Sequence, residues 1–261
     1  MGQKYIDEAF ASASRIKQLN NKAKITLVCD VKPIESSVFD SIIVEKAEQD
    51  ESGFMYKARQ LATHQPYDRT LFLDSDTYLI EDCRELFKLL DFFDVCMAHC
   101  PVDLYKVFDA NRQVVNGCYP YNSGVMVYQR NDKTCQLFNN LWRVFQEHQD
   151  LYWNDQIALM EAILYTDVKI YVLQSIYNFR TPYVQSLPGL RVKIIHGRVK
   201  NFEKIAKAIN KFENKNRVWI PESQTVVYRN VALWFRFYMA LPQPFLAFFR
   251  KIFHQFKKTT N

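Results

Sequence analysis

Thr70-Leu71-Phe72-Leu73-Asp74-Ser75-Asp76-Thr77-Tyr78-Leu79-Ile80 is the stretch on which the reading of this chain turns. An apolar run meets two carboxylates one residue apart, and a second apolar run follows at once. A short continuous apolar run reads as a buried strand. Aspartates are poor strand formers and costly to bury, so the strand is expected to end at Asp74. Both acids then stand at the carboxyl end of a central strand, where open α/β sheets bind their ligands. Residues i and i+2 of an extended chain project to the same side. Asp74 and Asp76 can therefore share one divalent cation and leave positions open for phosphate oxygens. The same pair also suits a plain turn in which one aspartate caps the next helix.

Outward from this stretch the pattern alternates. Residues 5–20 carry Ile6, Ala9, Phe10, Ala13 and Ile16 at helical spacing. Strands are expected at Ile25–Val28, Ser41–Val44, Leu71–Leu73 and Val95–Ala98, with helices at Phe54–Thr63 and from Asp82 to about Leu90. Such alternation predicts an α/β fold with a largely parallel, doubly wound sheet. Residues 101–120 hold Pro101, Gly117 and Pro120 and read as a loop or lid. Tyr121–Tyr128 is a strand that opens on small polar residues, and Asp132–His148 is a long amphipathic helix. Asn154-Asp155-Gln156 precedes a helix from Ile157 to about Tyr165. Val168–Val172 and Val192–Ile195 are further strands, the second running into His196-Gly197-Arg198.

The chain has 261 residues, 48% hydrophobic and 15% aromatic, which is ample for a core and argues against disorder. Its net charge is +6. After Glu222 there is no acid, while Arg229, Arg236, Arg250, Lys251, Lys257 and Lys258 are basic, so residues 1–222 balance to zero. A neutral body excludes a nucleic-acid-binding surface of the usual basic kind. We divide the chain into a body, 1–222, and a basic aromatic tail, 223–261. Phe245, Phe248, Phe249, Ile252, Phe253 and Phe256 form one face of an amphipathic helical tail ringed by bases. That face suits an anionic membrane surface, or else docking on the body or on a second copy as a homo-oligomer. A spanning helix is not expected, because Arg236, Pro242 and Pro244 interrupt the apolar run.

The six cysteines show no C-x-x-C spacing, and Cys96-Met97-Ala98-His99-Cys100 lacks a second ligand pair for zinc. Buried thiols in a reducing compartment follow, hence a cytoplasmic protein, peripheral on the membrane's cytoplasmic face if the tail binds there. Met1-Gly2-Gln3-Lys4 is polar and shows no signal peptide, and Ile6 stands where a myristoylation pattern needs Ser or Thr.

Four polar clusters interrupt the apolar pattern: Asp74/Asp76, Asn122-Ser123-Gly124, Asn154-Asp155-Gln156 and His196-Gly197-Arg198. Each falls at a strand end or helix start, the places that line the crevice of an α/β sheet. Over residues 5–200 their order and spacing resemble those of GT-A (Rossmann-like) glycosyltransferases. The resemblance is strongest to the family 8-like group of glycogenin and galactosyltransferase-like enzymes. Tyr67–Ile80 is similar to that group's metal-binding segment, Tyr121–Met126 to its N-S-G strand, Asp155-Gln156 to its D-Q helix start and His196-Gly197 to its late histidine.

The resemblance implies a GT-A fold with a mixed, mostly parallel central sheet flanked by helices. It also implies transfer of a sugar from a nucleotide-sugar such as a UDP-hexose to a glycan or glycolipid. Asp74, Asp76 and His196 would hold Mn²⁺ or Mg²⁺. Tyr5 would stack on the base, and Arg59 would contact the donor sugar unless it is an ordinary solvated helix charge. Ser75 and Arg198 would join the diphosphate site. Asn122, Asp155 and Gln156 would act where donor and acceptor meet. The family's opening base-binding strand has no counterpart before Tyr5, and His196-Gly197-Arg198-Val199-Lys200 departs from the fuller H-x-G-x-x-K-P-W form. Two other classes compete. Aspartyl-phosphate hydrolases also place D-x-D after an apolar strand, but with glycine where Thr77 stands here. A non-catalytic binding or scaffolding module could keep the fold.

Overall fold

The computed structural model describes residues 2–228, apart from 102–106, 109–113, 116–118, 149–153, 188 and 212–215. Most of the expected lid at 101–120, and the tail helix beyond Tyr228, lie outside the described residues. The elements run in order α1 (Gln3–Leu19), β1 (Thr26–Cys29), β2 (Ser41–Val44), α2 (Gly53–Thr63), β3 (Arg69–Leu73) and β4 (Thr77–Leu79). A 3-10 helix, Arg84–Asp91, leads to β5 (Val95–His99), β6 (Val107–Phe108), β7 (Val114–Val115), β8 (Tyr121–Gln129), α3 (Asp132–Glu147) and α4 (Asp155–Leu164). Then follow β9 (Ile170–Val172), β10 (Phe179–Arg180), β11 (Gln185–Leu187), β12 (Ile194–His196), α5 (Phe202–Asn210), β13 (Arg217–Ile220) and β14 (Thr225–Tyr228).

The main sheet has the order β3-β8-β5-β9. β9 is parallel to β5, while β8 is antiparallel to both β3 and β5. Three strands thus share one direction and β8 is inserted against them, the mixed sheet expected, but β3, expected in mid-sheet, stands at its edge with β8 as its one partner among the described residues. β8 alternates across the sheet, so Met126 and Tyr128 join one core while Val125 and Val127 join the other. On the first face α2, α3 and α4 supply Leu61, Leu137, Phe138, Leu141, Phe145 and Leu159. On the second the 3-10 helix supplies Leu86 and Leu90, and Ile16 and Leu19 of α1 close the edge. Each such side chain contributes about 1.5–3 kcal/mol on burial, so the main sheet with α2, α3, α4 and the 3-10 helix forms the stable frame on which the site is mounted.

The helix expected from Asp82 is a 3-10 helix, opened by Asp82 accepting the Arg84 N–H at 3.0 Å. The short β4, β10, β11, β13 and β14, and helix α5, are not anticipated by the sequence pattern. Strands of two to four residues leave too short a run for any period to show. β13 and β14 form an antiparallel hairpin whose turn contains Glu222. The boundary drawn at 222/223 therefore cuts a paired unit, and Thr225–Tyr228 belongs with the body.

Candidate active site

β3 delivers the two aspartates. It ends at Leu73, and the chain turns at once: the Thr77 amide and hydroxyl both donate to the Asp74 carbonyl, at 3.2 and 2.8 Å. That tight turn starts β4, which pairs antiparallel with β12, Thr77 opposite His196. The Gly197 amide donates to the Asp76 carbonyl at 2.9 Å. A histidine more than a hundred residues downstream is thereby held beside the turn. His196 Nε2 lies 3.4 Å from Asp76 Oδ1 and 3.7 Å from Asp74 Oδ2. One ligand atom from each of the three residues lies within 4.8 Å of the others.

β8 makes room for this approach. Its ladder with β5 jumps from Met97↔Met126 to Ala98↔Asn122, leaving Ser123–Val125 unpaired on that side, a bulge of the kind that re-aims strands at sites. The Gly124 carbonyl instead accepts the Asp74 amide at 2.8 Å. A Cβ at position 124 would stand 2.6 Å from Asp74 Oδ2 and 2.7 Å from His196 Nε2. Only glycine permits that contact. Gly197, at φ 124°, serves close packing too: a Cβ there would meet the Thr181 hydroxyl and the Pro182 ring.

The chemistry of the three donors fits a hard divalent cation. His196 is 2% exposed, and burial pushes its pKa below the usual histidine value, which keeps the ring neutral. Its Nδ1 is 2.8 Å from Asn178 Oδ1, an acceptor, so Nδ1 carries the proton and Nε2 presents a lone pair. Burial works to raise the Asp76 carboxyl, but the polar contact with His196 and the charges of Arg198 and Arg180 hold it at about 2. The ionised Asp76 and the unprotonated Nε2 thus stand beside the Asp74 side chain. Two carboxylates and an imidazole form a donor set suited to Mn²⁺ or Mg²⁺, with Asn178 fixing the tautomer from behind.

Asn122, expected at the donor sugar, is 1% exposed. Its carbonyl oxygen accepts from Asn178 Nδ2 at 2.8 Å and from the Gly124 amide at 3.2 Å. It therefore lies behind the histidine and orients it. Lys57 of α2 is the residue the sequence reading passed over. Its ammonium is 2.8 Å from Asp74 Oδ1, 2.8 Å from Asp155 Oδ2 and 2.9 Å from the Ser123 hydroxyl. Ser123 also donates to Asp155 through a short hydrogen bond. Burial alone would lower the Lys57 pKa, but Asp155 and Asp74 raise it, so this is a buried charged cluster. Asp155, under the same opposition of burial and Lys57, stays ionised.

Arg59, two residues along α2, faces elsewhere. It pairs with Glu51 at 2.7 Å and donates to the Lys46 carbonyl at 3.0 Å, binding the helix to the preceding loop. Gln156 sits on the first turn of α4, capped by Asn154, with its Oε1 buried and without a hydrogen-bond partner.

On the other side of the aspartates α1 and the turn enclose a cleft of 410 Å³, lined among others by Glu8, Ser12, Ser75, Asp76, Tyr78 and Arg198. Arg198 forms a fork on Glu8 at 2.7 and 2.9 Å, lies 3.6 Å from Asp76 Oδ2 and sits over the Tyr5 ring at 5.3 Å. Ser75 donates to Glu8 at 3.1 Å. Ser75, Asp76 and Arg198 are thus gathered at one cleft, about a glutamate the sequence reading did not single out, and Tyr5 adjoins them through Arg198. A further residue it missed is Arg180, whose Nη1 lies 2.7 Å from His196 Nε2. Only the helical spacing of Lys57 and Glu8 carried any signal; Arg180 and Asn178 sit on or beside a two-residue strand that no pattern announces.

No protein-family model matches the chain, and no curated protein sequence does so either. Solved structures do. The glycosyltransferase GlyE of Streptococcus pneumoniae TIGR4 is 17% identical, covers 76% of this chain and 53% of its own, and superposes with a TM-score of 0.51. The galactosyltransferase LgtC, solved with donor and acceptor sugar analogues, is 13% identical, covers 80% of this chain and 91% of its own, at a TM-score of 0.51. The bifunctional glycosyltransferase WbbM is 13% identical over 76% of this chain and 45% of its own, also at 0.51. The chain spans about half the length of the GlyE chain it matches. At such identities the likeness is one of architecture, and the architecture of this chain is that of the GT-A glycosyltransferases.

Proposed function

We propose that this chain is a metal-dependent glycosyltransferase that moves a sugar from a nucleotide-sugar, a UDP-hexose by the family resemblance, to a glycan or glycolipid. The observation that carries the proposal is the convergence of Asp74 Oδ2, Asp76 Oδ1 and the lone pair of His196 Nε2. It lies at the end of β3, the edge strand of the main sheet, in a fold shared with such enzymes. Mn²⁺ or Mg²⁺ held there supplies Lewis acidity toward a departing nucleoside diphosphate.

The rest is work for the chain's own residues. Tyr5, 41% exposed beside Arg198, offers a ring for the base. Ser75 and Arg198 offer a hydroxyl and a guanidinium fork for phosphate oxygens. Lys57 and Asp155 stand on the α4 side of Asp74 as a buried charge pair, placed to hydrogen-bond sugar hydroxyls and to hold Asp74 in register. Asn122 and Asn178 aim the imidazole, and Arg59 keeps α2 in place.

We also read residues 229–261 as a segment that binds an anionic membrane surface on the cytoplasmic side, since every charge in it is positive. Among the described residues no helix is long and apolar enough to cross a membrane. The test of the central proposal is a screen of common nucleotide-sugars with Mn²⁺, reading nucleoside diphosphate released with and without candidate glycans. Release from at least one donor, lost with a chelator and restored by Mn²⁺, is the expected result; no release from any donor would leave a binding module instead.

A further inference from the structure

The cation nearest the three metal-facing atoms is already in the protein. Arg180 stands opposite His196 in the parallel pairing of β10 with β12. Its Nη1 crowds the imidazole, 2.7 Å from Nε2 and 3.0 Å from Nδ1. Nδ1 is committed to Asn178, and a nitrogen this near both ring nitrogens lies over the face of the imidazole, beside Nε2 and out of line with its in-plane lone pair. The rest of the guanidinium is poorly served. Nε is buried with no hydrogen-bond partner, and the Tyr183 ring lies 5.8 Å from Cζ. A half-buried guanidinium with one buried donor unspent is costly, and such a group is available to a ligand.

The charges around it tell in the same direction. Asp74, Asp76, Asp155 and Glu8 face Lys57, Arg180 and Arg198, so four carboxylates meet three bases and one negative charge is left over. A divalent cation turns that remainder into one positive charge, which a diphosphate can answer. A divalent cation bound by Nε2 would also stand within a few ångströms of Nη1, where the two repel.

We propose that Arg180 is an exchangeable occupant of this site: it lies against the His196 imidazole beside Nε2 while no metal is bound, and metal entry repels it toward the phosphate oxygens of the donor, which it then hydrogen-bonds. This rests on the glycosyltransferase reading and adds a phosphate-contacting residue to it. No covalent bond is made or broken in the exchange; a contact with the imidazole is replaced by a hydrogen bond to a phosphate oxygen.

The exchange has a signature of two opposite signs. Full-length protein and its Arg180→Ala and Arg180→Lys variants are titrated with Mn²⁺ alone, then with inorganic pyrophosphate at saturating Mn²⁺. Thermal midpoints serve as the check that each variant is folded. Removing the resident cation is expected to tighten Mn²⁺ binding by roughly threefold or more. It is also expected to weaken pyrophosphate binding roughly tenfold, the loss of one charge-assisted hydrogen bond. Arg180→Lys should fall between on both counts. A structural role would weaken both together, so Mn²⁺ affinity that falls or stays level in Arg180→Ala overturns the exchange while leaving the metal site standing. Wild-type protein that binds neither Mn²⁺ nor pyrophosphate overturns both readings.

Discussion

Gly124 shows how narrow the tolerance of the site is at the level of single residues. A methyl group there falls inside contact distance of Asp74 Oδ2 and His196 Nε2. Gly124→Ala must push the imidazole or the carboxylate aside, at a cost of about 1–3 kcal/mol for an overpacked position. A lower thermal midpoint together with at least tenfold weaker Mn²⁺ binding is expected, by thermal melts and metal titration; unchanged Mn²⁺ affinity would contradict the close approach. Lys57 and Arg59 offer a matched comparison on one helix. Lys57→Ala leaves Asp155 buried without its cation, a loss of about 3–5 kcal/mol for a broken buried pair, and should alter Mn²⁺ affinity as well, through Asp74. Arg59→Ala should lower the thermal midpoint through Glu51 and leave Mn²⁺ affinity unchanged. Equal effects of the two on metal binding would show that the assignment of Lys57 to the site is wrong. The sequence names Asp74, Asp76 and His196 because carboxylates and histidines interrupting apolar runs are conspicuous. It does not separate Lys57 from Arg59, because a helix turns 100° per residue and either base could face the sheet.

At the scale of elements, the frame depends on one carboxylate as much as on the cores. Asp94 precedes β5 and accepts from the Lys169 amide at 2.8 Å, Asn131 Nδ2 at 2.7 Å and Gln129 Nε2 at 3.3 Å. It joins β5 to the end of β8, the start of α3 and the approach to β9. Burial works to raise its pKa, but these hydrogen bonds hold it below the ordinary 3.8. Its contribution to stability is therefore full above about pH 3.8 and is lost as pH falls through the lower folded value. Asp94→Ala should cost about 1–3 kcal/mol at pH 7, and the gap between variant and wild type should close on acidification below that point. Melts across pH 2–7 check it; a gap that stays constant with pH would contradict it. The long elements of this frame were legible because α3, with its capping Asn131 and Thr134, and β8 carry several periods each. The reversal of β8 was not, since strand direction leaves no mark in a buried apolar run. Of the β10–β12–β4 sheet only β12 was legible; β4 and β10 are too short to show a period, and Arg180 was missed with β10.

For the whole molecule, charge divides the work. A neutral body bears the site, and the six bases after Glu222 carry the entire net charge. Deleting residues 229–261 preserves the β13–β14 hairpin and should weaken binding to vesicles of anionic lipid while leaving donor hydrolysis intact. Vesicle binding unchanged by the deletion, in a flotation assay, would contradict the membrane role. The account as a whole stands or falls on the cation at Asp74, Asp76 and His196. The direct measurement is the thermal midpoint with and without Mn²⁺ plus UDP, for wild-type protein and for the double variant Asp74→Asn with Asp76→Asn, because ligands that bind only the folded state raise it. A rise in wild type that vanishes in the double variant is the expected result; a rise of equal size in both would contradict the metal site and the function built on it.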